Sequence, residues 1–167
     1  MNDYMTRYSD AGPSLAGNNN NGLTQAAAAI AYAGALPLII GAILVWARPM
    51  DIGPHLIDLI ILCGGALLAF FGGIRWGIAV MHSTGPTFTN LFGGIMPLLI
   101  SFPIFLMEND LVRLLIIVVA LPLLLFDDLR ATRRGSGAPD WYLGVRLPLT
   151  VMMELAFAAT LIFVIVN

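Results

Sequence analysis

The sequence predicts an all-α integral membrane protein: a bundle of five transmembrane helices behind a disordered polar N-terminal tail. Three observations carry that expectation. The 167 residues are 59% hydrophobic and 11% charged, whereas soluble domains carry about 25% charged residues. Mean hydropathy is +0.88. The apolar residues also fall in continuous blocks long enough to cross a hydrocarbon core about 30 Å thick. A membrane β-barrel would instead show alternating segments of about ten residues.

Residues 1–24 form the tail and residues 25–167 the transmembrane domain. The opening "MNDYMTRYSDAGPSLAGNNNNG" is polar and rich in Gly and Asn. It lacks the basic start and apolar centre of a secretory signal, and it is too poor in arginine for a mitochondrial presequence. Segments of this composition do not bury enough apolar surface to order themselves.

The first span covers about 25–46, the second 56–81, the third 88–107, the fourth 111–126 and the fifth 146–166. The fourth is short, about 24 Å at 1.5 Å per residue. It crosses if Arg113 snorkels outward at one end and Asp127 and Asp128 sit at the other interface. The third and fourth spans are joined by "END" (108–110), which makes them antiparallel neighbours. Pro37, Pro97, Pro103 and Pro122 fall inside spans and predict kinks.

All eight basic residues are arginine and the net charge is −2. A polybasic patch for binding lipid or nucleic acid is therefore not supported. Five spans put Arg7, Arg130, Arg133, Arg134 and Arg146 on one side with Arg75 leaning toward it, against Arg48 and Arg113 on the other. The excess predicts a cytoplasmic N-terminus and a periplasmic C-terminus in a bacterial inner membrane.

Little chemistry is legible. His55 and His82 stand at opposite ends of the second span, too far apart to share a metal. There is no Cys/His set for zinc and no phosphate-cradling glycine loop. The single Cys63 reads as packing. "DD" at 127–128 reads as helix termination and charge solvation. No catalytic residue, metal site or cofactor is expected.

Ionisable groups within spans are the candidates that remain. Asp58 lies near the outer side, within reach of Arg48 or Arg113. Arg75 and Glu154 lie at matching depths of roughly 9 and 12 Å from the cytoplasmic side, which predicts that they face each other. The pair would serve as a structural clamp, as a site for an anionic or carbonyl-bearing ligand, or as a proton path. Gly65, Ala69, Gly73 and Gly77 recur every four residues along the second span. Such small-residue ridges allow close helix contact, or they make a groove for a ligand or another helix. Trp76, Trp141, Tyr142 and Arg146 form an interfacial cluster of the aromatic-belt type.

Together, "AGALPLI" (33–39), "FFGGIRWG" (70–77) and "WYLGVRLPLT" (141–150) resemble an uncharacterised bacterial inner-membrane family. Its eukaryotic relative is the mitochondrial transmembrane protein 69. The resemblance covers about 30–165 and implies a multi-pass protein of the inner membrane of alphaproteobacteria and mitochondria. It brings no established activity, assigns no functional residues, and does not include Glu154 among its motif positions.

The expected function is therefore a non-enzymatic accessory, scaffold or assembly subunit of a larger, energy-transducing membrane complex. Its partners are the lipid bilayer and other membrane proteins. The alternative is a small ligand-binding or transport protein with a pocket near Arg75, Trp76 and Glu154.

Overall fold

The computed structural model describes residues 13–47, 52–83, 85–135, 137–139 and 141–167, with side chains from Gln25 onward. It contains α1 (Pro13–Ala47), α2 (Gly53–Val80), α3 (Phe88–Leu106), α4 (Asp110–Arg133) and α5 (Tyr142–Val166). There is no strand among the described residues. Four helices are long and apolar enough to cross a membrane: α1 over Gln25–Ala47, α2, α3 and α5. The expected fourth span lies within α4, which carries Asp110 and Arg113 near its start and Asp127, Asp128, Arg130 and Arg133 near its end. Residues 1–12 of the expected tail and Arg48 lie outside the described residues. Helical backbone reaches back to Pro13, into the segment expected to be disordered. Extending an established helix costs far less than nucleating one.

Local chemistry sets the helix starts. Pro54 lies at the beginning of α2, where its missing N–H is no loss. Thr87 caps α3 by accepting from the Asn90 backbone N–H. Asn109 caps α4 by accepting from the Val112 N–H at 3.1 Å. These side chains satisfy backbone donors that have no intrahelical partner.

Helix α2 is the hub. It packs against α1, α3, α4 and α5, whereas α1 otherwise meets α5 and α3 otherwise meets α4. Its side chains Ile61, Leu68 and Phe71 are buried with Ile104 of α3, Leu114, Ile117 and Leu121 of α4, and Met153 and Phe157 of α5. Large apolar residues such as Phe70, Leu123 and Leu155 point outward and are 61 to 67% exposed. Contiguous apolar surface of that kind suits lipid rather than water. At the end away from Arg75, Trp46 Nε1 donates to the Ala159 carbonyl at 3.1 Å. Its ring meets Phe163 edge-on at 5.4 Å, which ties α1 to α5.

The glycines pack differently from the expected ridge. A Cβ on Gly64 would lie 2.6 Å from Ile117 Cδ1, one on Gly65 2.8 Å from Phe105 Cζ, and one on Gly72 2.6 Å from the Gly94 carbonyl oxygen. A Cβ on Gly73 or Gly77 would meet nothing within 4 Å. Gly65 is thus a true contact, Ala69 is half-buried, and Gly73 and Gly77 leave the interface. The reason is geometric. A four-residue step overshoots a full helical turn by about 40°, so a strict four-residue ridge rotates away from a straight partner. The working contacts, Gly65 and Gly72, are seven apart and face Gly94 and Phe105 of α3.

Gly72→Ala is expected to lower the thermal unfolding midpoint in detergent, because overpacking a tight contact costs about 1–3 kcal/mol. Gly73→Ala should leave it unchanged or slightly raised. Equal effects of the two substitutions would contradict the α2–α3 contact.

Candidate functional site: a buried arginine–aspartate cluster

Near one end of the bundle, α2, α4 and α5 bring four charges together. Arg75 enters from the last turns of α2. Its guanidinium passes over Gly93 of α3, where a Cβ would stand 3.2 Å from Nη2. It reaches Asp127 through Nη2 and Asp128 Oδ1 through Nε at 3.3 Å. Arg146, in the first turns of α5, donates from Nε to the other oxygen of Asp128 at 3.3 Å. Its Nη1 donates to Thr150 Oγ1 at 2.9 Å, and the Thr150 hydroxyl bonds back to the Arg146 carbonyl at 2.8 Å. The guanidinium carbon of Arg146 lies 3.3 Å from the centre of the Phe71 ring, a cation–π contact on α2.

Asp128 is the shared member. It is 4% exposed and Arg146 is 2% exposed, so both charges are desolvated and depend on each other. Asp127 is by contrast more than half exposed. Two arginines against two aspartates leave the cluster neutral.

Three spaces adjoin it. A polar cavity of about 40 Å³ touches Arg75, Asn90, Asp128, Thr132 and Tyr142, room enough for a water molecule. A cleft of about 560 Å³ between α3 and α4 runs from Met96 and Leu115 up to Arg75 and Asp127. A groove of about 530 Å³ between α1, α2 and α5 runs past Gly34, Phe70 and Leu149 to Trp141, Tyr142 and Arg146. Near its head Tyr142 Oη and Arg146 Nη2 are enclosed by protein, and the two side chains interact with each other.

A second cluster stands at the opposite end. Arg113 donates from Nε to the Ile104 carbonyl at 2.8 Å, and from Nη1 to Asp58 and Asp110, each at 2.9 Å. It is 8% exposed. It turns inward rather than snorkelling, because three acceptors await it there.

The family described as "Protein of unknown function (DUF3429)" matches residues 23–162. The chain belongs to that family. Transmembrane protein 69 of Mus musculus is 29% identical over 102 residues, which is 59% of this chain and 40% of that protein. The Xenopus tropicalis transmembrane protein 69 is 28% identical over 102 residues, 59% of this chain and 39% of that one. The chain thus spans about two-fifths of the curated relatives it matches. No solved structure matches. Every member of the charge cluster lies inside the DUF3429 region.

The arrangement corrects one expectation about this family member directly. Arg75 pairs with Asp127 and Asp128, not with Glu154. Glu154 Oε2 is buried without a hydrogen-bond partner. Matching depths along two helices do not fix which faces meet. Asp127 and Asp128, read from sequence as solvated helix-end charges, are the true partners. They stand at the same end of the bundle as Arg75, as the expected span count also placed them. Of the expected interfacial cluster, Tyr142 and Arg146 join the charges and Trp141 packs edge-on against Tyr142 at 6.5 Å. Arg146 is buried rather than interfacial. The Trp76 side chain is exposed, while its backbone faces Gly94. Asp58 takes Arg113, one of the two partners open to it. No group of three metal-ligating side chains occurs among the described residues.

Asp128→Asn is expected to destabilise the protein by about 3–5 kcal/mol, the cost of stranding a buried charge. Asp127→Asn should cost about 1 kcal/mol or less, as for an exposed pair. Denaturant titration in mixed micelles measures both. Replacing Asp128 and Arg146 together with leucine should recover much of the loss. A double variant as unstable as Asp128→Asn would contradict the coupling.

Proposed function

We propose that this protein is a non-catalytic accessory, scaffold or assembly subunit of a larger membrane complex. Glu154 carries the reading. It is half-buried, and its Oε2 has no partner among the described residues. At about 100° per residue, it falls beside the outward stripe of α5 formed by Leu147, Val151, Leu155 and Ile162, which are 45 to 67% exposed. A polar group without a hydrogen bond in hydrocarbon costs several kcal/mol. A helix of another membrane protein packed along that stripe would cover its exposed side chains beside Glu154.

In the same reading α4 is a fifth crossing. Its buried Leu114, Ile117 and Leu121 support this, and its two charged ends enter clusters at opposite ends of the bundle. The end holding Arg75, Arg130, Arg133, Arg134 and Arg146 then faces the cytoplasm by arginine excess, across a bacterial inner membrane.

A second reading, a ligand-binding or transport protein, is favoured by one observation: two apolar spaces run up to Arg75 and Arg146. Its pocket keeps Arg75 and leaves Trp76 and Glu154.

Extraction in mild detergent followed by native mass measurement tests the subunit reading. The expected result is a wild-type chain held in a large assembly, and release of a 17.9 kDa chain by Glu154→Leu. A wild-type chain that runs alone, or an assembly indifferent to Glu154→Leu, contradicts it. A reporter fused after Asn167 should be active only on the periplasmic side.

A further inference from the structure

We infer that the cleft between α3 and α4 holds one acyl chain of a phospholipid with an ethanolamine headgroup, its ammonium at Asp127 and its phosphate at Arg130. The inference deepens the ligand-binding reading, rests on α4 crossing the membrane, and does not depend on the subunit reading. Three properties of the cleft carry it.

The body of the occupant is a hydrocarbon chain. Pro97 and Ile100 of α3, Ile116, Val119 and Leu123 of α4, and Leu68 of α2 line the cleft. From Val112 to Asp127 it follows α4 for about 22 Å. Half of a hydrocarbon core is about 15 Å thick, so a chain from one leaflet fits along it. A space of about 560 Å³ falls within the range of small-molecule sites.

The head of the occupant carries both signs of charge. The groups that would meet it are accessible, unlike the buried pair at Asp128. Asp127 lines the cleft, gives Oδ2 to Arg75 and is 56% exposed. A carboxylate has lone pairs for several donors, so its open side can accept from an ammonium. Arg130 lies one turn further along α4. It is exposed and enters no ion pair among the described residues. Its guanidinium rests 4.3 Å from the centre of the Phe126 ring, which holds it against the outer face of the helix. Residues three apart on a helix are neighbours, about 5–6 Å from each other at Cβ. An ethanolamine headgroup sets an ammonium and a phosphate a short ethyl link apart, and so meets both. The pair stands just past residue 126, where the expected fourth span reaches the headgroups.

Other headgroups leave one charge unmet. Choline has no N–H to give the carboxylate. Glycerol brings the phosphate without the ammonium, beside a carboxylate that repels it.

The test uses the full-length protein in a maltoside detergent, titrated with dioleoylphosphatidylethanolamine, its choline analogue and its glycerol analogue. Lipid adducts are counted by native mass measurement. The ethanolamine lipid is expected to add in one copy at about tenfold lower concentration than the other two, the worth of one charged hydrogen bond. Asp127→Asn should remove most of that preference. Arg130→Gln should weaken all three lipids. Leu123→Trp, which fills the cleft, should abolish the adduct, and Gly73→Ala should leave it unchanged. Glycerophosphoethanolamine, the same headgroup without chains, should not compete. Circular dichroism of each variant separates lost binding from lost fold. No adduct of any lipid on the wild type overturns the ligand-binding reading along with the inference. Equal binding of the three lipids, preference for the glycerol lipid, or a preference indifferent to Asp127→Asn overturns the inference and leaves that reading standing. Adducts indifferent to Leu123→Trp, or displaced by glycerophosphoethanolamine, overturn it too. Failure of the α4 crossing shows separately, in the reporter fused after Asn167.

Discussion

Asp128 holds one arginine with each carboxylate oxygen, and much of the bundle's order follows from that. Arg75 comes from α2 and Arg146 from α5, helices that otherwise touch little beyond Phe71 and its neighbours. The carboxylate of α4 therefore fixes the relative rotation of three helices at one end. In hydrocarbon, where burial of apolar surface gives helices no reason to associate, a desolvated charge network is a strong source of register. Each member is costly alone and tolerable together, so the three helices find one arrangement rather than several.

The glycines serve that network. Arg75 can cross α3 because Gly93 offers no side chain, and α2 can approach α3 because Gly72 and Gly94 face each other. Gly72 of "FFGGIRWG" and the Gly93–Gly94 pair of "LFGGIMP" are two halves of one crossing. The same geometry explains why the cluster is enclosed on the α3 side and flanked by open grooves on either hand. Where α3 meets α4, no glycine crossing draws the helices together, and apolar space remains.

The two ends of the bundle are built alike. Arg113 spends its Nε and Nη1 on Ile104, Asp58 and Asp110, and Arg146 spends the same two nitrogens on Asp128 and Thr150. At the Arg146 end, apolar spaces also run up to the charges. Glu154, away from both clusters, stands beside the outward stripe of α5.

Composition and block length by themselves determined that this chain is a helical membrane protein, because the cost of unsatisfied backbone in lipid leaves few alternatives. The positions of the helices were legible for the same reason, and the partner of Asp58 was narrowed to Arg48 or Arg113, of which the structure takes Arg113. The partner of Arg75 was not. Depth along a helix follows from counting residues, but facing depends on rotation, and rotation is set by contacts between distant segments. Gly73 and Gly77 were misjudged on the same ground: spacing in sequence named a ridge, while the 3.6-residue turn carried it away from α3. Only the tertiary structure decided that "DD" closes the cluster, that Gly72 rather than Gly73 is the contact, and that Arg146 lies buried between Asp128 and the Phe71 ring.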